Sequence, residues 1–419
     1  MDIKSKLSLL SSPLGGSAAP VARGPEVLTA LRQRMQELLA ASGRPTTSER
    51  PEPASSDLER SDLPFVAEAH ERGSIWVRRQ VLAPSTHVGR IPLEAARDAC
   101  PEMLALLALD PDVGTCDPSG ALFLDTETTG LGGAGSVAFL VGLGAFDARG
   151  RLVLEQLLLR APEDEAALLD YLVGRLEQAS LLITYNGKTF DMPLLGCRFV
   201  MHRIPAPKAI PHLDLLHVAR RLHKERLGQC RLISLESGVL GFERQEDIPG
   251  GEIPPLYGHY LRTGDSSALW PVVEHNALDV MSMAALMGLY GEPVTALHAG
   301  DLVGLAKTLK RARALDQAHR VADRALELGA GPMARLLRGQ IAKARGEKGR
   351  ALADFEQLSR EVDDARVRLE LAKLYEHYVK QPLKALDMVA LGTGERPEQT
   401  KKRRERLMLK CSKLQDKQH

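Results

Sequence analysis

The 419-residue chain is 44% hydrophobic and 26% charged, enough to build two or three domains with cores of their own. A net charge of +1 supplies no global field toward nucleic acid, so any basic surface must be local. Five scattered cysteines with no Cys-x-x-Cys spacing argue against a disulfide framework and against a zinc site. No apolar run reaches the roughly 18 residues of a membrane span, and the N-terminal stretch makes a poor signal peptide. The expectation is a cytoplasmic protein without a membrane partner.

Residues 1–64 are rich in Ser, Pro and charge and read as largely disordered, interrupted by one helix over Glu26–Ala41. From Phe65 to about Asp117 the pattern predicts a strand pair (SIWVRRQVLAP, then THVGRIPLEAA) and an apolar helix near Met103–Leu109. The segment Ala121–Gly130, ALFLDTETTG, is an apolar run ending in acids, the pattern of a buried strand. SVAFLVGLGAF and RLVLEQLLLRA follow as further strands, joined through the turn residues Asp147–Gly150. Then come a helix (EDEAALLDYLVGRLEQA), a strand at Leu181–Tyr185, a helix from Asp191 to about Met201 and a short strand at His212–Leu216. The sum is a mixed sheet with helices packed on it.

After about Gly300 the texture is helical only. Ala318, Ala351 and Ala385 sit in similar contexts at separations of 33 and 34 residues, the period of tetratricopeptide repeats. A closing basic helix, KKRRERLMLKCSK, reads as a solvated face.

Strand alternation puts Asp125 and Glu127 on one face. Two carboxylates side by side at the end of a buried strand repel and resist desolvation, which a divalent cation between them would relieve. Asp191 falls at a helix start after Tyr185-Asn186-Gly187-Lys188-Thr189-Phe190, and Asp279 lies in a late helix, four residues after His275 and on the same helix face. Four carboxylates from a strand, a helix start and a late helix are what a two-metal phosphodiesterase needs, and hard oxygen ligands suit two Mg²⁺ or Mn²⁺ ions. His275 is placed to take a proton from an attacking water. Thr128, Asn186 and Lys188 are candidates for substrate contact; Asn186 reads equally as the residue that holds the turn, and Lys188 as a solvated charge. Asp214, at a strand end, reads either as a support of the site or as a structural hydrogen-bond acceptor.

The run Gly130-x-Gly132-x-x-Gly135 fits a dinucleotide fingerprint, but that fingerprint needs a helix next, and a strand pattern follows instead. The glycines are therefore expected to form a flexible turn beside the acids.

DTETTG, YNGKTFD and HNALD resemble the three motifs of the DEDD 3′–5′ exonucleases, which share a ribonuclease H-like fold. The segment Tyr-Asn-x-x-x-Phe-Asp also resembles the proofreading domains of family-B DNA polymerases. The stretch from about Ile75 to Leu289, with HLDLLHVARRLH, LISLESGVLGFERQEDIPGGEIPPLY and YLRTGD, resembles the YprB family of predicted ribonuclease H-like exonucleases, some with tetratricopeptide-like repeats. That resemblance implies Asp125, Glu127, Asp191 and Asp279 as metal ligands and a single-stranded nucleic-acid end as substrate. Its histidine subclass places the His five residues before the last Asp, whereas His275 stands four before, the spacing of the tyrosine subclass. The expected organisation is a disordered region over 1–64, a ribonuclease H-like α/β domain over 65–298, and tetratricopeptide-like helices over 299–419 that dock a protein partner. The rival expectation is a non-catalytic nucleic-acid-binding or scaffold protein acting through its repeats.

Overall fold

The computed structural model describes residues 63–415, except 131–134 and 246. The expectations for residues 1–62, including the helix over 26–41, and for most of the glycine turn lie outside the described residues.

Seven strands form one sheet: β1 (Val66–His70), β2 (Gly73–Leu82), β3 (Ala121–Thr128), β4 (Ala138–Phe146), β5 (Leu152–Leu158), β6 (Leu181–Thr184) and β7 (His212–Asp214). Their spatial order is β1-β2-β5-β4-β3-β6-β7. β3, β4 and β5 form an antiparallel meander, while β6 and β7 join parallel to β3. The segment SIWVRRQVLAP pairs with Val66–His70 and with β5 rather than with THVGRIPLEAA, which forms only a two-residue ladder over 87–88 and 91–92. The apolar strand finds more burial against the large sheet than a Gly- and Pro-containing neighbour can offer.

Helices cover both faces. Leu122 and Leu124 pack with α2 (Glu165–Gln178), α3 (Asp191–Met201) and α5 (Ile253–Thr263). Ala121 and Phe123 point the other way, toward α6 (Trp270–Gly291), α4 (Leu215–Leu222) and α1 (Pro101–Ala108). Full burial of such side chains contributes about 1.5–3 kcal/mol each. The stretch MSMAALMGLY of α6 is apolar on every side because sheet and helices enclose it. Gly142 and Gly144 of β4 let α6 lie close: a Cβ at Gly142 would meet Asn276 Oδ1 at 2.3 Å, and one at Gly144 would meet Val280 at 2.7 Å.

From Ala299 the chain is helical among the described residues: α7 (Ala299–Arg311), α8 (Leu315–Glu327), α9 (Gly331–Ala344), α10 (Lys348–Glu361), α11 (Ala365–Leu374), α12 (Pro382–Ala390) and α13 (Pro397–Gln415). Each packs on the next, and Ala318, Ala351 and Ala385 are fully buried. α7 seats on α4, where buried Asp301 accepts from Arg226 at 2.6–3.0 Å and lies 3.1 Å from His223 Nδ1. Burial would raise the Asp301 carboxyl, but the His223 and Arg226 charges outweigh it and hold it below its ordinary range. No helix among the described residues is long and apolar enough to cross a membrane.

Candidate active site

The acids gather at the end of β3, next to the parallel pair β3–β6. Asp125 and Glu127 extend the Ala121–Phe123 face and so point toward α6, which carries His275, Asn276 and Asp279. Thr126 extends the opposite face and meets the first residue of α3, its hydroxyl donating to Asp191 Oδ1 at 2.5 Å. A register shift between Glu127 and Thr128 ends the regular ladder there.

Three of the four acids are hydrogen-bonded by protein groups, and Glu127 faces His275. The buried Asn276 amide donates to Asp125 Oδ2 at 2.9 Å. Gln156 donates to Asn276 Oδ1 at 2.9 Å and thereby fixes its orientation, itself accepting from Arg78 at 2.7 Å. His275 Nε2 faces Asp279 Oδ2 at 3.8 Å and Glu127 Oε1 at 3.9 Å, while its Nδ1 lies 2.6 Å from Asp247 Oδ1. The Arg244 guanidinium, almost fully buried, bonds Asp279 and clamps the buried Glu236 at 2.7 and 2.5 Å. Ser282 donates to the same Glu236 at 2.5 Å.

The electrostatics record how crowded the charges are. Burial, then Asp279, Glu127 and Asp191, hold the Asp125 carboxyl well above its usual range, against the Asn276 bond. Burial pushes Glu127 up to about 7; His275 and Arg244 pull it down, and Asp279 and Asp191 push it further up. Asp191 and Asp279 are raised by burial as well, despite the Thr126 bond to the first and Arg244 and His275 beside the second. Burial disfavours the charged form of His275, but Asp279, Asp247 and Glu127 outweigh it and raise the imidazole above its ordinary value.

Four electron-rich oxygen donors that cannot comfortably all ionise match the needs of a hard divalent cation. Among the described residues, however, no three His, Cys, Asp or Glu side chains are positioned to hold one ion as they stand. Asp125, Asp191 and Asp279 are turned instead to Asn276, Thr126 and Arg244.

The neighbouring candidates are placed differently. Thr128 donates to the Gly130 carbonyl at 2.7 Å. Asn186 adopts a left-handed backbone (φ 71°), which Asn tolerates better than most residues, so its turn-forming reading has a direct basis. Asp214 accepts from the backbone N–H of Asn186 at 2.8 Å and of Lys188 at 3.1 Å, a structural role for the strand-end acid. The Lys188 side chain is exposed.

Sequence reasoning missed Arg244, Asp247 and Asn276. The first two arrive on the irregular segment after Gly241, where no periodicity marks a face. Asn276 left a usable signal, since it directly follows His275 in the motif that supplies Asp279.

Comparison with known proteins agrees with this architecture. Residues 122–290 match the RNase_H superfamily model. The chain is 33% identical over 308 residues to "Uncharacterized protein YprB" of Bacillus subtilis (strain 168), an alignment that covers 70% of this chain and 74% of that protein. A ribonuclease H superfamily domain points to a nuclease-type hydrolase with nucleic acid as its substrate. The chain belongs to the YprB family, built around a ribonuclease H superfamily domain.

Proposed function

We propose that the protein is a metal-dependent 3′–5′ exonuclease of the DEDD type, with residues 65–298 as its catalytic domain. The observation that carries this reading is the gathering of Asp125, Glu127, Asp191 and Asp279 at the end of β3, with His275 beside Glu127 and Asp279 and all four carboxyls raised by burial. Those four acids would hold Mg²⁺ or Mn²⁺, two ions in the full site, which supply Lewis acidity and a water of lowered pKa at the scissile phosphodiester.

The chain's own groups do the rest. His275 Nε2, aimed between Glu127 and Asp279, receives the proton from the attacking water. Asp247 at Nδ1 fixes the ring and its tautomer, which makes up for the shortened spacing to Asp279. Asn276 aims Asp125, and Arg244 offsets the charge on Asp279 until a cation arrives. Thr128, Asn186 and Lys188 would contact the substrate strand. Residues 299–419 serve as a tetratricopeptide-like repeat domain.

The test is cleavage of 5′-labelled single-stranded DNA and RNA of equal sequence with Mn²⁺, comparing wild type with Asp125→Asn. A ladder shortening from the 3′ end in the wild type, absent in the variant, is expected. Equal products from both proteins refute the assignment.

A further inference from the structure

Helices α9, α10, α11 and α13 enclose a cavity of about 330 Å³. Lys343, Lys348, Lys373, Arg403 and Arg406 line it, together with Tyr378, and no carboxylate does. Their acidic partners lie outside the lining: Glu370 pairs with Lys343 and Lys373, Glu376 with Arg403 and Arg406, and Glu395 with Arg403. Lys348 is exposed and has no ion pair among the described residues. Five cations thus line one concavity, four of them held by three carboxylates from outside it, in a chain whose net charge is only +1. The cations outnumber these carboxylates, an excess of positive charge that an anion in the space would offset.

We infer that this cavity binds the phosphate backbone of a single-stranded nucleic acid, with Tyr378 as a stacking surface for a base. Guanidinium forks suit phosphate oxygens. Tyr378 is 47% exposed and lines the cavity beside the cations, the pairing of basic groove and aromatic platform that holds single strands. An acidic peptide satisfies the cations but leaves that ring without a partner. The cavity is built on the helical region after Ala299, where α9 of its lining also packs on α7, the helix that seats on α4. Arg403 and Arg406 of the C-terminal basic run are therefore part of a built site rather than a solvated face. The identity of the ligand rests on the nuclease reading; the anionic character of the site does not.

The experiment measures anisotropy of a fluorescein-labelled 30-nucleotide single strand, DNA and then RNA, titrated with the full chain carrying Asp125→Asn to prevent cleavage. Lys348→Glu and Tyr378→Ala are added singly; both residues are exposed, so folding is little disturbed. Lys348→Glu is expected to weaken binding at least tenfold and to reduce the slope of log Kd against log salt by about 0.7 for each phosphate no longer neutralised. Tyr378→Ala is expected to weaken binding at least fivefold and leave the salt slope unchanged. Affinities and slopes within twofold of the parent overturn the inference, as does polyglutamate that competes equally and loses affinity in the same variants. Cleavage by wild type is scored separately. Binding abolished in the variants with no cleavage in the wild type would sink the nuclease reading alone, and cleavage with unaltered binding would sink the cavity alone.

Discussion

Replacing Glu127 with Gln isolates the cost of crowding the acids. Burial, opposed by His275 but reinforced by Asp279 and Asp191, pushes the Glu127 carboxyl from an ordinary 4.5 up to about 7. At about 1.4 kcal/mol per pH unit, the ionised group costs the folded, metal-free protein about 3 kcal/mol. Because the folded value lies above the unfolded one, the stability linked to this group is complete below about pH 4.5 and declines as pH rises through 7. Gln carries no charge at any pH, and the nearest charge partner given up, His275 Nε2, stands 3.9 Å away. In urea titrations with a chelator present, Glu127→Gln should therefore be more stable than wild type by about 3 kcal/mol at pH 8, and by less than about 1 kcal/mol at pH 5. Added Mn²⁺ should narrow the gap at pH 8 by stabilising the wild type alone. A variant no more stable than wild type at pH 8, or a gain independent of pH, would refute the electrostatic account of the cluster.

Gly142→Ala places a methyl 2.3 Å from Asn276 Oδ1 and should lower stability by about 1–3 kcal/mol in thermal melts, with loss of nuclease activity; an unchanged melt contradicts the packing argument. Asp247→Asn should lower kcat about 10–100-fold with KM little changed, because the His275 ring loses its anchor while the acids stay; a pure KM effect would assign Asp247 to substrate binding. Glu376 is buried, and although burial favours its neutral form, Arg406, Lys410 and His377 hold its carboxyl down at about 2. Its contribution is present above about pH 4.5 and lost as pH falls through 2, so Glu376→Ala should loosen α13 at pH 7 by about 3 kcal/mol. Hydrogen exchange of α13 equal to that of wild type would contradict this.

The strands from Ala121 onward and the positions of the acids were readable in the sequence because both leave periodic marks. ALFLDTET alternates between two helix-covered faces, so Asp125 and Glu127 follow Phe123 toward α6. Asp191 opens a helix whose observed start and end are the predicted ones. The loop that brings Arg244 and Asp247 has no such period, and its partners, Glu236 and His275, lie 8 and 28 residues away. THVGRIPLEAA has strand-like composition, yet the neighbour it needed was claimed by β5. In the basic C-terminal run, Lys401, Lys402 and Arg404 are exposed as a solvated face requires, while Arg403 and Arg406 line a cavity that exists only once α9, α10 and α11 stand beside them.

The central claim is that the four acids form a metal site. Calorimetric titration of Mn²⁺ into the full chain at pH 8 tests it most directly, with wild type compared against Asp279→Asn. Saturable uptake in wild type, weakened at least tenfold in Asp279→Asn, is the result predicted. Equal heats from the two proteins, or none from either with a nucleotide present, would contradict it.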